Sequence, residues 1–343
     1  MQTSMEVHPT AGRDPDVTAV AELCARLAEN IGRAIVGKSA SIELLLICLL
    51  CEGHALIEDV PGVGKTTLAR AAARTFEGEF RRIQFTPDLL PSDISGISFF
   101  DQRQGDFRFR AGPVFANIVL ADEINRATPR TRSALLEAME ERTVTVEGDT
   151  MSLPRPFLVL ATQNPIELEG TFPLPEAQLD RFLLRIQLGY PTHSEEDEIL
   201  SRHRAGLPLD QVEPVASVTE LTEVMALSRK VYAAPDVVHY VTALVRATRE
   251  HDAVELGASP RASLALLHTA QARAAMQARP FVTPDDVKAL IAPVLGHRII
   301  LSPEARLRGR NIDAVLNEIT SRVAVPVEGR IGLPRDSLDP FEQ

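Results

Sequence analysis

The chain has 343 residues, of which 45% are hydrophobic and 24% charged, and its net charge is −11. This length allows two or three structural units with a sizeable core, and the composition is that of an ordinary globular protein. The acidic balance disfavours nucleic acid as the main partner, because phosphate-binding proteins usually have a basic surface and no run of five Lys or Arg residues occurs here.

Neither a membrane span nor an export signal is predicted. The longest apolar run, Leu44 to Cys51, is far shorter than the roughly 20 residues that cross a bilayer. The first residues lack a basic region followed by an apolar core. Cys24, Cys48 and Cys51 are expected to be reduced, small, buried side chains. We therefore expect a protein that lies in the cytoplasm and is not itself in a membrane.

The first half of the chain alternates short apolar runs with helical patterns, which predicts an α/β fold with a parallel sheet covered by helices. The predicted buried strands are His54 to Glu58, Ile83 to Phe85, Asn117 to Ala121, Phe157 to Thr162 and Leu183 to Leu188. Two hairpins are predicted between them, one over Ile97 to Pro113 with a turn at Gln104-Gly105, and one over Arg142 to Pro156 with a turn around Gly148.

Beyond Pro191 the pattern becomes helical, and the boundary between the two halves is expected between Pro191 and Pro214. Five amphipathic helices are predicted from N-cap residues and apolar stripes. Their marks are the capping box of Ser217 and Glu220, the stripe Val237, Val241, Leu244 and Val245, the caps Ser259 and Thr283, and the stripe Leu316, Ile319 and Val323.

A strand, a glycine-containing turn and a helix follow one another from His54 to Phe76, which is the context of a phosphate-binding loop. Glycines in the turn let backbone N–H groups point at phosphate, the lysine reaches the β- and γ-phosphates, and the following hydroxyl completes a Mg²⁺ shell. The predicted nucleotide-binding residues of this loop are Gly62, Val63, Gly64, Lys65, Thr66 and Thr67.

The loop departs from the usual G-x-x-x-x-G-K-[ST] pattern, because Asp59 stands in the place of the first glycine. The glycines that must let the backbone close on phosphate, Gly62 and Gly64, are both present. We therefore interpret the loop as functional, with Asp59 facing outward, toward the helical half or a neighbouring subunit.

Polar residues end two further predicted strands at the same carboxyl edge of the sheet, where open α/β sheets bind ligands. Asp122 is expected to hold Mg²⁺ through water, and Glu123 to act as general base on the attacking water. Asn164 is placed to orient that water. The alternatives are a helix-capping role for Asp122 and a turn role for Asn164 before Pro165.

Two arginines lie outside this edge. Arg181 follows a short helix at the flank of the sheet domain, where it reaches a neighbour's nucleotide more easily than its own; an ion pair with Asp180 or Glu176 is the alternative. Arg261 lies in the first turn of a helix, where a cation opposes the helix dipole and implies a nearby anion. That anion is either a phosphate or a carboxylate.

Together these motifs resemble those of the AAA+ ATPases, and more closely those of the MoxR family. The resemblance runs from about Ala34 to Val327 and rests on the phrases LADEINRATPRTRSALLEAMEE, TQNPIELEGTFPLPEAQLDRF, GASPRASLALL and VTPDDVKALIAPVLGHRI. It implies a P-loop αβα domain with a five-stranded parallel sheet, followed by an all-α helical lid. The implied ranges are 1–33 for an N-terminal helical segment, 34–191 for the nucleotide-binding domain, 192–327 for the lid and 328–343 for a flexible tail.

The same resemblance implies roles for individual residues. Lys65 and Thr66 match Walker A, Asp122 and Glu123 match Walker B, Asn164 matches sensor 1, Arg181 matches the arginine finger donated in trans, and Arg261 matches sensor 2. The hairpin from Ile97 to Arg110 matches the helix-2 insert, and the hairpin around Gly148 matches the pre-sensor-1 hairpin.

What the resemblance implies for function is an ATPase with ATP and Mg²⁺ as cofactors, assembled as a homo-oligomeric ring, a hexamer in the expected case, with ATP at subunit interfaces. Members of this family act as chaperone-like factors that mature or assemble other proteins, including metal- or cofactor-containing enzymes. They often work with a partner protein that carries a von Willebrand factor A domain.

Three other functions remain open from the sequence. The first is a DNA-translocating motor resembling the minichromosome maintenance helicases. It is favoured by arginines interleaved with phenylalanines on the insert hairpin, namely Arg103, Phe107, Arg108, Phe109 and Arg110. The acidic balance and the lack of an added DNA-binding domain oppose it. The others are a chelatase motor resembling the ATPase subunit of magnesium chelatase, and a nucleotide-binding switch with little turnover, against which Glu123, Asn164 and Arg181 argue.

Overall fold

A computed structural model describes residues 17–164 and 171–326. The predicted tail, 328–343, and the first part of the predicted 1–33 segment lie outside these ranges. The helices are α1 Val17–Ala34, α2 Ser39–Leu50, α3 Lys65–Thr75, α4 Pro91–Ser95, α5 Pro129–Glu141, α6 Glu176–Leu179, α7 His193–Ala205, α8 Val218–Ser228, α9 Pro235–Arg249, α10 Pro260–Met276, α11 Pro284–Leu295, α12 Pro303–Leu307 and α13 Ile312–Arg322. The strands are β1 Ala55–Glu58, β2 Phe80–Gln84, β3 Gly96–Asp101, β4 Asp106–Ala111, β5 Ile118–Asp122, β6 Thr143–Val146, β7 Asp149–Ser152, β8 Leu158–Gln163, β9 Leu184–Ile186, β10 Val254–Leu256 and β11 Ile300–Leu301.

The central sheet contains five parallel strands in the order β2-β5-β8-β1-β9. Its register aligns Glu58 with Gln163 and Gln84 with Asp122, so the carboxyl ends of neighbouring strands meet at one edge. The predicted α/β fold with a five-stranded parallel sheet is therefore confirmed. The prediction for β2 is wrong in extent, because the strand begins at Phe80 and its first residues are partly exposed, as an edge strand allows.

Alternate residues of the strands pack on opposite faces of the sheet, which produces two hydrophobic layers. Ile57, Leu120 and Leu160 belong to a buried cluster with residues of α1, α2 and α3. Leu56 and Val119 belong to a second cluster, on the other face, with residues of α5. The sheet is thus covered on both faces, which explains why its strands read as continuous apolar runs.

Both predicted hairpins form outside the central sheet. Strands β3 and β4 pair antiparallel with Gly96 opposite Ala111, and the turn contains Gly105 with φ +69°. Strands β6 and β7 turn at Glu147 and Gly148, both of which have positive φ.

The predicted helices of the second half form as α8, α9, α10, α11 and α13. Thr283 makes a full capping box with Asp286 at α11. The capping box predicted for Ser217 and Glu220 is wrong in one half: Ser217 accepts from the Glu220 N–H, whereas the Glu220 carboxylate is paired with Arg26 of α1.

Helix α1 joins the two halves of the molecule. Asn30 Nδ2 donates to Thr75 Oγ1 of α3 at 3.0 Å and to the Glu213 carbonyl at 2.6 Å. Arg26 Nη1 donates to the Val215 carbonyl at 3.1 Å. The described part of the predicted 1–33 segment is therefore an integral part of the core.

Helix α2 contains most of the apolar run around Leu44 and is buried almost all round. Its Cys48 and the following Cys51 have the spacing of a C-x-x-C pair, and both are free thiols. Burial raises the pKa of the Cys48 thiol well above its usual value and that of Cys24 to about 12, so both stay protonated at neutral pH. Within the described ranges no helix is long and apolar enough to cross a membrane.

Candidate nucleotide-binding site

The predicted phosphate-binding loop connects β1 to α3. Gly62 and Gly64 have φ of +84° and +96°, values that side-chain-bearing residues rarely adopt, so glycine is required here by the backbone. Gly64 is the N-cap of α3, and no side chain of the described residues caps the helix there. The first N–H groups of α3 are therefore available to an anion, and the helix dipole favours one.

A cleft of about 420 Å³ opens in front of this loop. It brings together predicted residues from the loop and from the ends of β5 and β8, together with three residues that were not predicted from the sequence. We term it the small cleft, and it is lined by Pro61, Gly62, Gly64, Lys65, Thr66, Thr67, Arg82, Asp122, Glu123, Thr162 and Asn164.

Glu123 is held in an uncommon conformation at the end of β5. Its φ is +57°, which for a glutamate stores strain and is frequent at functional sites. Gln84 Nε2 donates to Glu123 Oε2 at 2.8 Å, and Arg126 Nε lies 3.1 Å from the same oxygen. The carboxylate is therefore fixed by two neighbours that sequence reasoning did not identify.

Asp122 is oriented by Thr162 and Arg82. Thr162 Oγ1 donates to Asp122 Oδ1 at 2.5 Å and accepts from the Glu123 N–H at 2.9 Å. Arg82 Nη2 lies 2.6 Å from Asp122 Oδ2. These contacts join β2, β5 and β8, so they depend on the strand order, which no local sequence pattern encodes.

The small cleft fits Mg²⁺. Thr66 presents a hydroxyl and Asp122 a carboxylate on the same cleft, and hard oxygen ligands are those that Mg²⁺ prefers. Asn164 is 9% exposed and lines the cleft on the β8 side. The arrangement thus combines a phosphate cradle, candidate metal ligands and a carboxylate that can accept a proton.

A larger cleft of about 950 Å³ adjoins the small cleft and shares Gly62, Gly64 and Thr67 with it. Its walls include Ile35 and Val36, after α1, and Ile199 of α7. An apolar cleft beside a phosphate loop suits the base and sugar of a nucleotide. No sequence pattern indicates this cleft, because its walls come from segments far apart in the chain.

Asp59 does not line either cleft. Its side chain is 8% exposed, and Oδ2 accepts from the N–H groups of Leu188 and Gly189 at 2.6 and 2.7 Å. Lys65 Nζ donates to the Asp59 carbonyl at 2.9 Å. The prediction that Asp59 faces away from the phosphates is therefore confirmed. The carboxylate is buried against the backbone that leads from β9 toward α7.

Asp59→Ala is expected to lower the free energy of unfolding by about 2–4 kcal/mol, because two buried N–H groups lose a charged acceptor. ATP affinity should stay within about twofold, since the carboxylate does not line the clefts. Chemical denaturation and titration with a fluorescent ATP analogue measure the two quantities. Asp285→Ala, at an exposed carboxylate, is the control, with an expected change under about 1 kcal/mol. A large gain in ATP affinity for Asp59→Ala would contradict this interpretation.

Arg181 and Arg261 lie together on Glu140 of α5. Arg181 Nη2 is 3.1 Å from Glu140 Oε2, and Arg261 Nη2 is 2.6 Å from Glu140 Oε1. Arg181 Nη1 also donates to the Leu136 carbonyl at 2.9 Å. The anion inferred for Arg261 is thus a carboxylate within the chain, and Arg181 is paired with Glu140 instead of Asp180 or Glu176. Among the described residues, neither arginine lines the small or the large cleft.

The structure combines a glycine loop before a helix, acidic and amide side chains at the carboxyl edge of a parallel sheet, and a helical lid. This combination defines a P-loop nucleotide-binding protein of the AAA+ class. Residues 54–184 match an ATPase family associated with various cellular activities (AAA), and residues 246–319 match an AAA lid domain.

Individual relatives place the chain more closely. Chaperone MoxR1 of Mycobacterium tuberculosis (strain ATCC 25618 / H37Rv) is 42% identical over 92% of this chain and 85% of its own length. The uncharacterized protein YeaC of Bacillus subtilis (strain 168) is 49% identical over 89% and 96%. A crystal structure from Cytophaga hutchinsonii ATCC 33406 superposes with a TM-score of 0.85 at 38% identity, covering 91% of this chain and 97% of that one. The chain belongs to the MoxR family of AAA+ ATPases and is by that membership an ATP-hydrolysing enzyme.

Proposed function

We propose that the chain is an ATP-driven, chaperone-like remodeller that works as a homo-oligomeric ring, a hexamer by family resemblance. The observation that carries this proposal is the separation of Arg181 and Arg261 from the cleft that holds Lys65, Glu123 and Asn164. The two arginines share one carboxylate outside that cleft. Their guanidinium groups would therefore contact a nucleotide bound by a neighbouring subunit.

Within one chain, the small cleft would bind the triphosphate and prepare water for attack. Lys65 would exchange the Asp59 carbonyl for phosphate oxygens, and Thr66 and Asp122 would hold Mg²⁺, which neutralises phosphate charge. Glu123 would act as general base, fixed by Gln84 and Arg126. Asn164 would orient the attacking water.

Arg181 and Arg261 would complete the site of the adjacent subunit. Within one chain the two arginines share the single carboxylate of Glu140, which holds their guanidinium groups side by side. This geometry supports a trans role for Arg261 as well as for Arg181. An arginine donated in trans typically contributes ~10³–10⁵ in rate, so hydrolysis should depend on assembly.

The hairpin of β3 and β4 is the proposed working surface. Phe100 and Phe107 are 52% and 65% exposed at its tip, where their rings pack edge to face with centroids 5.4 Å apart. Paired exposed aromatic rings are typical of protein-binding surfaces. Arg108 of the same hairpin is paired with Asp101, which weakens the case for a DNA-contacting tip.

The name of one relative, chaperone MoxR1, supports a chaperone-like role, and the family resemblance supports a partner with a von Willebrand factor A domain. Work in the cytoplasm, and maturation of metal- or cofactor-containing enzymes, are further parts of the proposal that rest on the same resemblance. A chelatase-type motor is the second candidate, favoured by a 26% identical magnesium-chelatase subunit homologue of Methanocaldococcus jannaschii that matches 59% of this chain.

Stimulation of the ATPase rate tests the proposal. A partly unfolded model protein should raise the rate and duplex or single-stranded DNA should not. Phe107→Ser should cut the protein stimulation severalfold at an unchanged basal rate. Leu307→Ser, at an apolar side chain 90% exposed outside the hairpin, should leave the stimulation intact. Stimulation by DNA that depends on Arg103 would favour the DNA-translocating motor instead.

A further inference from the structure

Arg298, between α11 and β11, is a lid arginine whose side chain is only 3% exposed. Its Nε donates to Asp180 Oδ1 at 2.9 Å, and its Nη1 donates to the Leu183 carbonyl at 3.0 Å. Its Nη2 donates to the carbonyls of Phe182 and Asp180. One guanidinium therefore holds the backbone on both sides of Arg181, in what we term the 180–183 segment.

Two further lid residues hold the same segment. His297 Nε2 donates to the Phe182 carbonyl at 3.0 Å, and burial lowers the pKa of His297 well below its usual value, so the ring is neutral. Ser259 Oγ donates to Asp180 Oδ2 at 2.8 Å while it caps α10, the helix that carries Arg261. Asp180 thus accepts one lid donor on each carboxylate oxygen.

A purely stabilising role explains this arrangement poorly. Burying an arginine and a carboxylate costs desolvation energy that often exceeds what their attraction returns, so apolar residues would serve packing as well. The planar fork of Arg298 instead fixes direction, because it binds a carboxylate and several carbonyls at once. Within the described residues, the hydrogen bonds that its side chain donates outside α11 all fall on the 180–183 segment.

We propose that Asp180 and Arg298 are positioning residues that fix the direction of Arg181 from the lid of its own chain. The inference rests on the proposed role of Arg181 in a neighbour's site. Helix α1 packs against α10 of the lid and leads into Ile35 and Val36 in the wall of the large cleft, so the nucleotide bound by one chain would set the finger presented to the next. Nucleotide state would then pass around the ring through Arg298 and Asp180.

The test compares kcat and ATP affinity for Arg298→Lys and Asp180→Asn. Lysine keeps the charge of Arg298 but loses the fork, and asparagine keeps the shape of Asp180 but loses its charge. Each should lower kcat about 10–100-fold, since displacement by about 1 Å costs that much, while the ATP dissociation constant stays within about twofold. Arg279→Lys is the matched control, because Arg279 pairs with buried Asp286 inside the lid, and kcat should be unchanged.

Mixing with Glu123→Gln subunits separates positioning from damage. These subunits hydrolyse ATP very slowly but present an intact Arg181, so they should restore turnover in the sites of Arg298→Lys and Asp180→Asn subunits. Arg181→Ala mixed in the same way tests the underlying trans assignment. The positioning role is overturned if turnover recovers for Arg181→Ala but not for Arg298→Lys and Asp180→Asn, or if the kcat of these last two variants is that of wild type.

If Arg181→Ala also fails to recover, the trans assignment in the proposed function is what fails. If Arg298→Lys or Asp180→Asn does not fold, Ser259→Ala provides a further test, because Ser259 holds Asp180 from a partly exposed position. Ser259→Ala should lower kcat severalfold, and Glu123→Gln subunits should restore its turnover. A wild-type kcat for Ser259→Ala would contradict the proposed positioning of Arg181.

Discussion

Arg181→Ala is expected to lower kcat for ATP hydrolysis by about 10³–10⁵-fold, the usual contribution of an arginine donated to phosphoryl transfer. The physical reason is the loss of a fixed positive charge where negative charge develops in the transition state. ATP affinity should change little, because the clefts of the chain's own site do not include Arg181 among the described residues. Steady-state rates and nucleotide titrations on the assembled protein measure both.

Two comparison variants make the Arg181 result specific. Arg181→Lys should recover only a small part of the rate, because an ammonium lacks the bidentate fork. Arg130→Ala removes an exposed arginine from the start of α5 and should hydrolyse ATP as wild type does. A wild-type rate for Arg181→Ala would show that the ion pair with Glu140 is purely structural.

Glu123→Gln is expected to lower kcat by about 10²–10⁴-fold, the range that a positioned general base supplies. The amide keeps the shape of the side chain and its contact with Gln84, so ATP should still bind. The protein should therefore accumulate with ATP bound, which single-turnover hydrolysis and retained nucleotide measure directly.

Glu141→Gln, at an exposed carboxylate at the end of α5, is the matched control and should leave kcat unchanged. A Glu123→Gln protein that still turns over ATP near the wild-type rate would assign the base to another group.

The sequence predicts best what depends on neighbouring residues. The glycine loop lies between a strand and a helix as predicted, with Lys65 and Thr66 in the first turn of α3. Ser259 and Thr283 cap α10 and α11 as predicted. Helix α2 was missed because it is apolar all round and therefore shows no 3.6-residue periodicity. Helix α7 was missed because its polar sequence resembles a linker.

What the sequence predicts poorly depends on contacts between distant segments. Asp59 accepts a hydrogen bond from the backbone of Leu188, which is 129 residues further along the chain. Glu140 pairs with both Arg181 and Arg261. Such pairs are set by strand order and lid packing, not by spacing in the chain. The large cleft was missed for the same reason, because its walls come from α7 and from residues after α1.

The shared active site is tested most directly by the ATPase rate of an equal mixture of Arg181→Ala and Glu123→Gln subunits. Each variant alone should be almost inactive although it assembles as wild type does. In the mixture, about a quarter of interfaces pair an intact Glu123 with an intact Arg181, so about a quarter of the wild-type rate should return. A mixture that remains as inactive as its components, in rings shown to contain both subunits, would contradict a site completed by the neighbouring chain.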